Sequence, residues 1–130
     1  MGRGFNDVID NGFNMNDLEK RIRRGESFLV ASDGQFLGKL CLNRYDQDGV
    51  CNEYGRYGSR YSSTSIFNQY STYGSVYSAL SPFSQYTHTP PKVYLRGQLW
   101  GLLTVNTRIY ARILNPHELN NWMAENGLNY

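Results

Sequence analysis

The sequence predicts a mainly β domain of the α+β class, in which two related β-hairpins form a small sheet or a partial barrel. Three observations support this prediction: two similar segments with a central glycine turn, helix signals near both ends, and a tyrosine-rich repeat between the hairpins. At 130 residues the chain is long enough for one domain, spanning 1–130, with a single modest core.

The first element is a helix predicted over residues 14–25. Leu18 and Ile22 are four apart and share one face, and basic residues fill the last turn before Gly25, which ends the helix. We interpret this basic cluster as a solvated face, because cations are favoured at the C-terminal end of a helix. The basic residues are Lys20, Arg21, Arg23 and Arg24.

Two hairpins are predicted over residues 27–43 and 92–108. Their sequences share a valine, two glycines, a glutamine, a leucine and an asparagine in register. Gly34 and Gly97 stand between β-rich runs, where a tight turn needs a positive φ. A further glycine recurs inside the second strand of each hairpin and indicates a bulge or a close backbone approach; these are Gly38 and Gly101.

A second helix is predicted over residues 115–127. Asn115 is a typical N-cap residue, Pro116 suits the first helical position, and Glu118 occupies the capping-box position. Gly127 ends the helix. Three large apolar residues share one face, namely Leu119, Trp122 and Met123.

Residues 46–91 contain a sixteen-residue motif written twice, with a degraded third copy. The recurring asparagines and tyrosines are Asn52, Tyr54, Tyr57 and Tyr61 in the first copy, and Asn68, Tyr70, Tyr73 and Tyr77 in the second. The third copy begins at Pro82 and has Ser84 where the others have asparagine. Recurrence in register indicates a structural rule, so ordered loops are predicted between the hairpins.

The tyrosine spacing of three and four matches a helix face, but the glycines and serines make a poor helix. We therefore predict short turns repeated as arcs, with the two asparagines bonding nearby backbone amides. We expect the tyrosines to form the core of this region, because a tyrosine ring buries area while its hydroxyl stays hydrogen-bonded. The alternative is a surface on which a planar or sugar ligand stacks. The candidate binding residues are the recurring asparagines and tyrosines together with Arg56, Arg60 and His88.

The sequence gives no reason to expect an enzyme. Neither His88 nor His117 has an arranged nucleophile or carboxylate partner, and phosphate-loop, dinucleotide-binding and CxxC motifs are absent. Residues 46–49 resemble the start of a calcium loop, but position 57 is a tyrosine where that loop needs a glutamate. A turn is therefore favoured there, and no metal or cofactor is predicted.

The charge and composition of the chain limit the classes of partner and the cellular locations that we expect. A net charge of +2 is too small to presume nucleic acid, which normally requires a marked basic excess. No apolar run is long enough to span a membrane, and the first residues lack a signal-peptide pattern, so a cytoplasmic location is expected. Cys41 and Cys51 are flanked by apolar residues, which favours reduced thiols.

Residues 65–78 resemble a repeat found in small bacterial proteins with no established activity. The resemblance covers about residues 33–106, including a Gly-x-x-x-Gly-x-Leu element before the repeats and a Pro-Pro-x-x-Tyr entry to the second hairpin. It implies a shared fold and no particular chemistry. Ser84 departs from the pattern, so a site built from all the asparagines would be incomplete in the third copy.

We therefore expect a non-enzymatic binding or interaction module whose contact surface is made by the repeat loops, with an unknown small ligand or protein as its partner. One alternative, which the net charge does not favour, is a binder of single-stranded nucleic acid or nucleotides. In it the tyrosines stack on bases and Arg44, Arg56 and Arg60 meet phosphates. The other is a structural or assembly protein, such as a phage or surface component, so homo-oligomerisation stays open.

Overall fold

The computed structural model describes residues 15–129, whose centre is one five-stranded sheet. The elements in chain order are helix α1 (Met15–Arg23), strands β1 (Phe28–Val30), β2 (Phe36–Lys39), β3 (Lys92–Leu95), β4 (Gln98–Leu103) and β5 (Ile113–Leu114), a 3-10 turn (Pro116–Glu118) and helix α2 (Leu119–Glu125). The strand order is β2-β1-β3-β4-β5, and only the β4–β5 pair is parallel. The predicted α+β fold is confirmed, while position 14 of the predicted first helix lies outside the described residues.

The two hairpins lie side by side in this sheet. Strands β1 and β3 pair antiparallel, with Phe28 opposite Tyr94 and Val30 opposite Lys92, so the hairpins do not pack face to face. The sheet is not closed. Of the two predicted arrangements, a small sheet and a partial barrel, the structure therefore has the small sheet. Strand β5 has no counterpart in the sequence prediction, because two residues carry no alternation pattern.

The second strand of the hairpin predicted over residues 92–108 ends early, at Leu103. Beyond it the side chains of Thr104 and Asn106 each accept the backbone N–H two residues further on, at 3.0 Å. Such bonds form turns and compete with a strand ladder, which explains why the chain leaves the sheet there.

The glycine turns predicted from the sequence are confirmed. Gly34 and Gly97 have φ of 94° and 82°, and Arg96 also has a positive φ of 48°, as the two-residue turn of a type I′ hairpin requires. The pairing register of each hairpin shifts beside the interior glycine, so both predicted bulges are present. These glycines are Gly38 and Gly101.

The helix ends also follow their sequence signals. Gly25 and Gly127 have φ of 70° and 72°, directly after the two helices. At the start of the second helical segment, the Asn115 side chain accepts the N–H of His117 at 2.9 Å. Within residues 15–129, neither helix has the length and apolar character needed to cross a membrane.

Alternation along the strands divides the buried side chains between two clusters. One cluster joins Phe28, Val30 and Phe36 of the sheet to Tyr57, with α1 packed against it. The other joins residues of the remaining strand positions, of α2 and of the repeat segment, including Leu29, Leu37, Val93, Trp122, Met123, Val50 and Ile66. The repeat segment is therefore anchored in both clusters.

Strand β2 would be an open edge, but the start of the repeat segment covers it. The N–H of Lys39 donates to Asp48 O at 2.7 Å, and Val50 returns a bond to Lys39 O at 3.0 Å. The Lys39 ammonium also lies 2.9 Å from Asp46 Oδ2. Although burial acts in the opposite sense, hydrogen bonds from Lys39 and from the Asp48 N–H lower the pKa of Asp46. Residues 46–49 thus form the turn favoured by the sequence, with this carboxylate fixed against the sheet.

Candidate functional site

From residue 43 to residue 89 the chain advances in three-residue steps, and we call this segment the turn ribbon. In all but two of these steps a backbone N–H donates to the carbonyl oxygen three residues earlier, at 3.0–3.5 Å, as in Gly55 to Asn52 and Asn68 to Ser65. The residue that begins most steps is serine, asparagine or glycine. The predicted series of short turns is confirmed, but its unit is the triplet, a period finer than the sixteen-residue repeat.

The residue that begins a step also fixes the residue two positions later. The side-chain oxygens of Asn52 and Asn68 accept the N–H groups of Tyr54 and Tyr70, each at 3.0 Å. Ser59 and Ser75 do the same for Tyr61 and Tyr77, at 3.0 and 3.1 Å. Each of these tyrosines therefore stands on a backbone held by a local side-chain bond.

The two asparagines also make a second bond, through the side-chain amide, to a carbonyl oxygen six residues earlier. Asn52 Nδ2 donates to Asp46 O at 3.1 Å, and Asn68 Nδ2 donates to Ser62 O at 3.0 Å. The predicted role of these asparagines as loop-fixing residues is confirmed. In the third copy Ser84 stands at this position and has no amide to donate.

Two glycines interrupt the triplets. At Gly58 and Gly74 the ribbon takes a four-residue step, with the N–H of the next serine donating to the carbonyl four residues earlier, at 3.1 and 3.0 Å. A Cβ at either glycine would lie 2.2 Å from the carbonyl oxygen of Asn52 or Asn68. Only glycine allows this close approach, which recurs in register in both copies.

The tyrosine before each of these glycines points inward. Tyr57 is 8% exposed and meets the Phe36 ring edge-on at 5.0 Å, and burial raises the pKa of its hydroxyl. Tyr73 is half-buried, and its hydroxyl donates to Asp33 Oδ2 at 2.8 Å. Burial and the Asp33 carboxylate together raise the pKa of Tyr73 to about 12. The predicted tyrosine core is confirmed for Tyr57 and in part for Tyr73.

The other repeat tyrosines point into solvent, so the expectation of a tyrosine core is wrong for them. Their exposed fractions are 99% for Tyr54, 92% for Tyr61, 88% for Tyr70 and 94% for Tyr77. The physical reason is the three-residue period, which directs only the tyrosine of the four-residue step toward the sheet. The repeat therefore separates anchoring tyrosines from displayed ones.

Tyr54 and Tyr61, the two exposed tyrosines of the first copy, line an open groove of about 1110 Å³ between the turn ribbon and the start of the C-terminal helical segment. Its apolar lining consists of Leu42, Val50, Cys51, Phe67, Pro116 and Leu119. Its exposed polar and aromatic lining residues include Arg44, Glu53, Tyr54, Arg60, Tyr61 and His117. Cys51 Sγ lies 3.8 Å from Asn120 Oδ1 across the groove.

The groove brings together only some of the residues predicted from the sequence. Tyr54, Tyr61 and Arg60 line it, whereas Arg56 and His88 are exposed elsewhere. The backbone carbonyl of Arg56 instead accepts hydrogen bonds from the hydroxyl groups of Ser62 and Thr64. Asn52 and Asn68 support the ribbon backbone, and Tyr70 and Tyr77 display their rings outside the groove.

Sequence reasoning missed Phe67, Glu53 and Asn120 as lining residues. Phe67 has a usable signal, because it is one repeat after Cys51 and one before Phe83. All three positions face the C-terminal helical segment: Cys51 meets Asn120, and the Phe83 ring lies 5.4 Å from that of His117. No local signal identifies Asn120, since its place in the groove depends on tertiary contacts.

The arginines of the groove make no ion pair within the described residues, unlike most basic residues at the C-terminal end of α1. Within residues 15–129, Arg44 and Arg60 have no carboxylate partner. By contrast, Arg21 lies 2.7 Å from Glu26, and Arg24 lies 2.8 Å from the same carboxylate. The interpretation of the α1 cluster as a solvated face fits Lys20, Arg23 and Arg24, which are exposed. It is wrong for Arg21, whose side chain is only 13% exposed and lies 3.9 Å from the centre of the Phe36 ring.

Comparison of the chain with protein-family models, with curated proteins and with solved structures gives no match.

Proposed function

We propose that the protein is a non-enzymatic binding module whose contact surface is the turn ribbon, with the groove of the first repeat as its main site. The observation that carries this proposal is the display of Tyr54 and Tyr61 at 99% and 92% exposure on a backbone fixed by side-chain bonds. An exposed ring adds nothing to the core, and because the backbone beneath it is already fixed, only the side-chain torsions remain to be ordered when a ligand covers the ring.

The side chains that line the groove are suited to binding a ligand. Tyrosine faces and apolar residues offer stacking area, and arginine, asparagine and glutamate side chains offer hydrogen bonds around it. His117 contacts the Phe83 ring, and the structure gives it no carboxylate or thiol partner among residues 15–129. These features support recognition of a ligand and supply no activated nucleophile.

An amide-resolved NMR titration tests the proposal with three chemically different probes: single-stranded decathymidylate, chitotetraose and a proline-rich decapeptide. We expect at least one probe to shift the resonances of Tyr54 and Tyr61, and Tyr54→Ala to weaken that binding. Tyr110→Ala is the matched control, because Tyr110 is equally exposed but lies outside the ribbon. If all three probes leave the ribbon resonances unchanged at millimolar concentration, the proposal fails.

Self-assembly is a second candidate, favoured by one observation on the later part of the ribbon. Residues 62–91 contain no Asp, Glu, Lys or Arg, yet they expose Tyr70, Tyr77 and, at 55%, Val76. Uncharged aromatic surface is typical of protein–protein contacts. Light scattering should then give a mass that rises with concentration, and Val76→Lys should restore the 15.0 kDa monomer. A monomer mass at every concentration of the parent protein would rule this candidate out.

A further inference from the structure

We infer that the groove binds single-stranded nucleic acid, with bases stacked on Tyr54 and Tyr61 and phosphates held by Arg44 and Arg60. This inference rests on the proposed function and names its ligand. It is drawn from three properties of the groove: its unpaired charge, its exposed rings and its size.

The charge of the groove favours an anion. Two guanidinium groups, those of Arg44 and Arg60, line it together with a single carboxylate, that of Glu53. Both guanidinium groups are exposed and lack ion pairs within the described residues, so each has donors available for a phosphate. A neutral sugar requires no such excess of positive charge.

The rings of the groove favour unstacked bases. The N–H groups of Tyr54 and Tyr61 donate to the side chains of Asn52 and Ser59 at 3.0 Å, so the backbone that carries each ring is fixed in the ribbon. In a duplex, neighbouring bases cover the faces of each base. In a single strand these faces are available to stack on aromatic side chains. Phe67, which is 39% exposed, adds apolar area to the same lining.

The size of the groove and the overall charge fit a short single strand. Its volume of about 1110 Å³ is above the range of roughly 300–1,000 Å³ typical of small-molecule pockets, and it is open to solvent. A net charge of +2 is small for duplex binding, but two phosphate contacts need no large basic field. The recognition we propose therefore depends on stacking more than on charge.

Fluorescence anisotropy with labelled decathymidylate and decauridylate, measured over a salt series, tests this inference. Two phosphate contacts predict a slope of log affinity against log salt of roughly −1.4, and Arg44→Gln or Arg60→Gln should each reduce its magnitude by roughly 0.7. Arg108→Gln, a change at an exposed arginine outside the groove, should leave the slope unchanged.

The tyrosine variants separate stacking from hydroxyl contacts. Tyr54→Ala and Tyr61→Ala should each weaken binding roughly 5- to 150-fold, since stacking contributes about 1–3 kcal/mol per base. Tyr54→Phe should retain most of the affinity, because it keeps the ring. Tyr110→Ala should have no effect, because Tyr110 is exposed outside the ribbon.

Failure of this inference can be distinguished from failure of the proposed function. Binding of chitotetraose or of the decapeptide at Tyr54 and Tyr61, with no binding of either oligonucleotide, would overturn the inference and leave the binding module intact. Oligonucleotide binding that is insensitive to both tyrosine variants would also overturn it, by placing the strand elsewhere. Binding of none of the probes would overturn both proposals.

Discussion

Gly58 is the residue at which the turn ribbon first takes a four-residue step, and replacing it tests the ribbon geometry. Its φ is not positive, so alanine would suffer there only from lack of space. A Cβ at Gly58 would lie 2.2 Å from Asn52 O, more than about 1 Å inside an ordinary contact. Moving that oxygen would disturb its 3.0 Å bond with the Gly55 N–H. Overpacking together with a lost backbone bond should lower the free energy of unfolding of Gly58→Ala by about 2–4 kcal/mol.

Gly55→Ala is the matched control for this change. The nearest atom to a Cβ at Gly55 is the side-chain Nδ2 of Asn52 at 3.1 Å, so a shift of a few tenths of an ångström relieves the contact. Because alanine also reduces the freedom of the unfolded chain, the control should stay within about 1 kcal/mol of the parent protein. Gly74→Ala should match Gly58→Ala, since its Cβ would meet the Asn68 carbonyl at the same 2.2 Å.

Urea unfolding followed by tryptophan fluorescence is the assay for these three variants. Trp100 and Trp122 meet edge-on at 5.2 Å beside the main core cluster, so their emission reports on the packed state. A Gly58→Ala protein as stable as Gly55→Ala would refute the four-residue step and the inward turn of the tyrosine before it.

Three further predictions concern packing and pH. Tyr57→Ala should lower the free energy of unfolding by about 3–5 kcal/mol, whereas Tyr54→Ala should change it by less than about 0.5 kcal/mol; equal losses in urea unfolding would contradict the assigned burial. Gly97→Val should lower the free energy of unfolding by about 1–3 kcal/mol, because the φ of Gly97 is 82° and a Cβ there would lie 2.4 Å from a carbonyl oxygen of α1. An unchanged melting temperature would argue against this turn. Tyr73→Phe should be less stable than the parent protein below about pH 10. The raised pKa of Tyr73 stabilises the folded state only while its hydroxyl is protonated, so this difference should vanish between pH 10 and about 12; a constant difference in urea unfolding across that range would exclude the Asp33 contact.

The turns and caps could be predicted from the sequence because their chemistry is local. Gly34 and Gly97 each mark a position where the backbone alone requires a positive φ, and the interior glycines mark bulges in the same way. Asn115 caps the residue two positions later without help from the rest of the fold. For such elements, a few neighbouring residues contain all the information needed.

The three-residue period of the turn ribbon was harder to predict than the turns and caps, although the sequence contains the pattern that produces it. Serine, asparagine or glycine stands at most third positions, but the extra glycines at 58 and 74 shift the register and produce tyrosine spacings of three and four. That spacing imitates a helix face. The exposure of each tyrosine depends further on which step is lengthened and on where β2 lies, and neither follows from composition.

The groove could not be predicted, because distant parts of the chain form it. Tyr54 and Arg60 come from the ribbon, while His117 and Asn120 come from the start of the C-terminal helical segment. Their proximity follows from the packing of α2 and the ribbon in one core cluster. The residue types could be recognised in the sequence, but which of them lie on the same surface depends on the tertiary fold.

Acetylation of tyrosine hydroxyls by N-acetylimidazole, resolved residue by residue by mass spectrometry, tests most directly the division of the repeat tyrosines into anchors and displayed rings. We expect rapid acetylation of Tyr54, Tyr61, Tyr70 and Tyr77 and slow acetylation of Tyr57 and Tyr73, whose hydroxyls are buried or bonded. Decathymidylate should then protect only the two tyrosines of the groove. Equal rates at all six tyrosines without ligand would contradict the account, because they would show that the ribbon does not sort its tyrosines between core and surface.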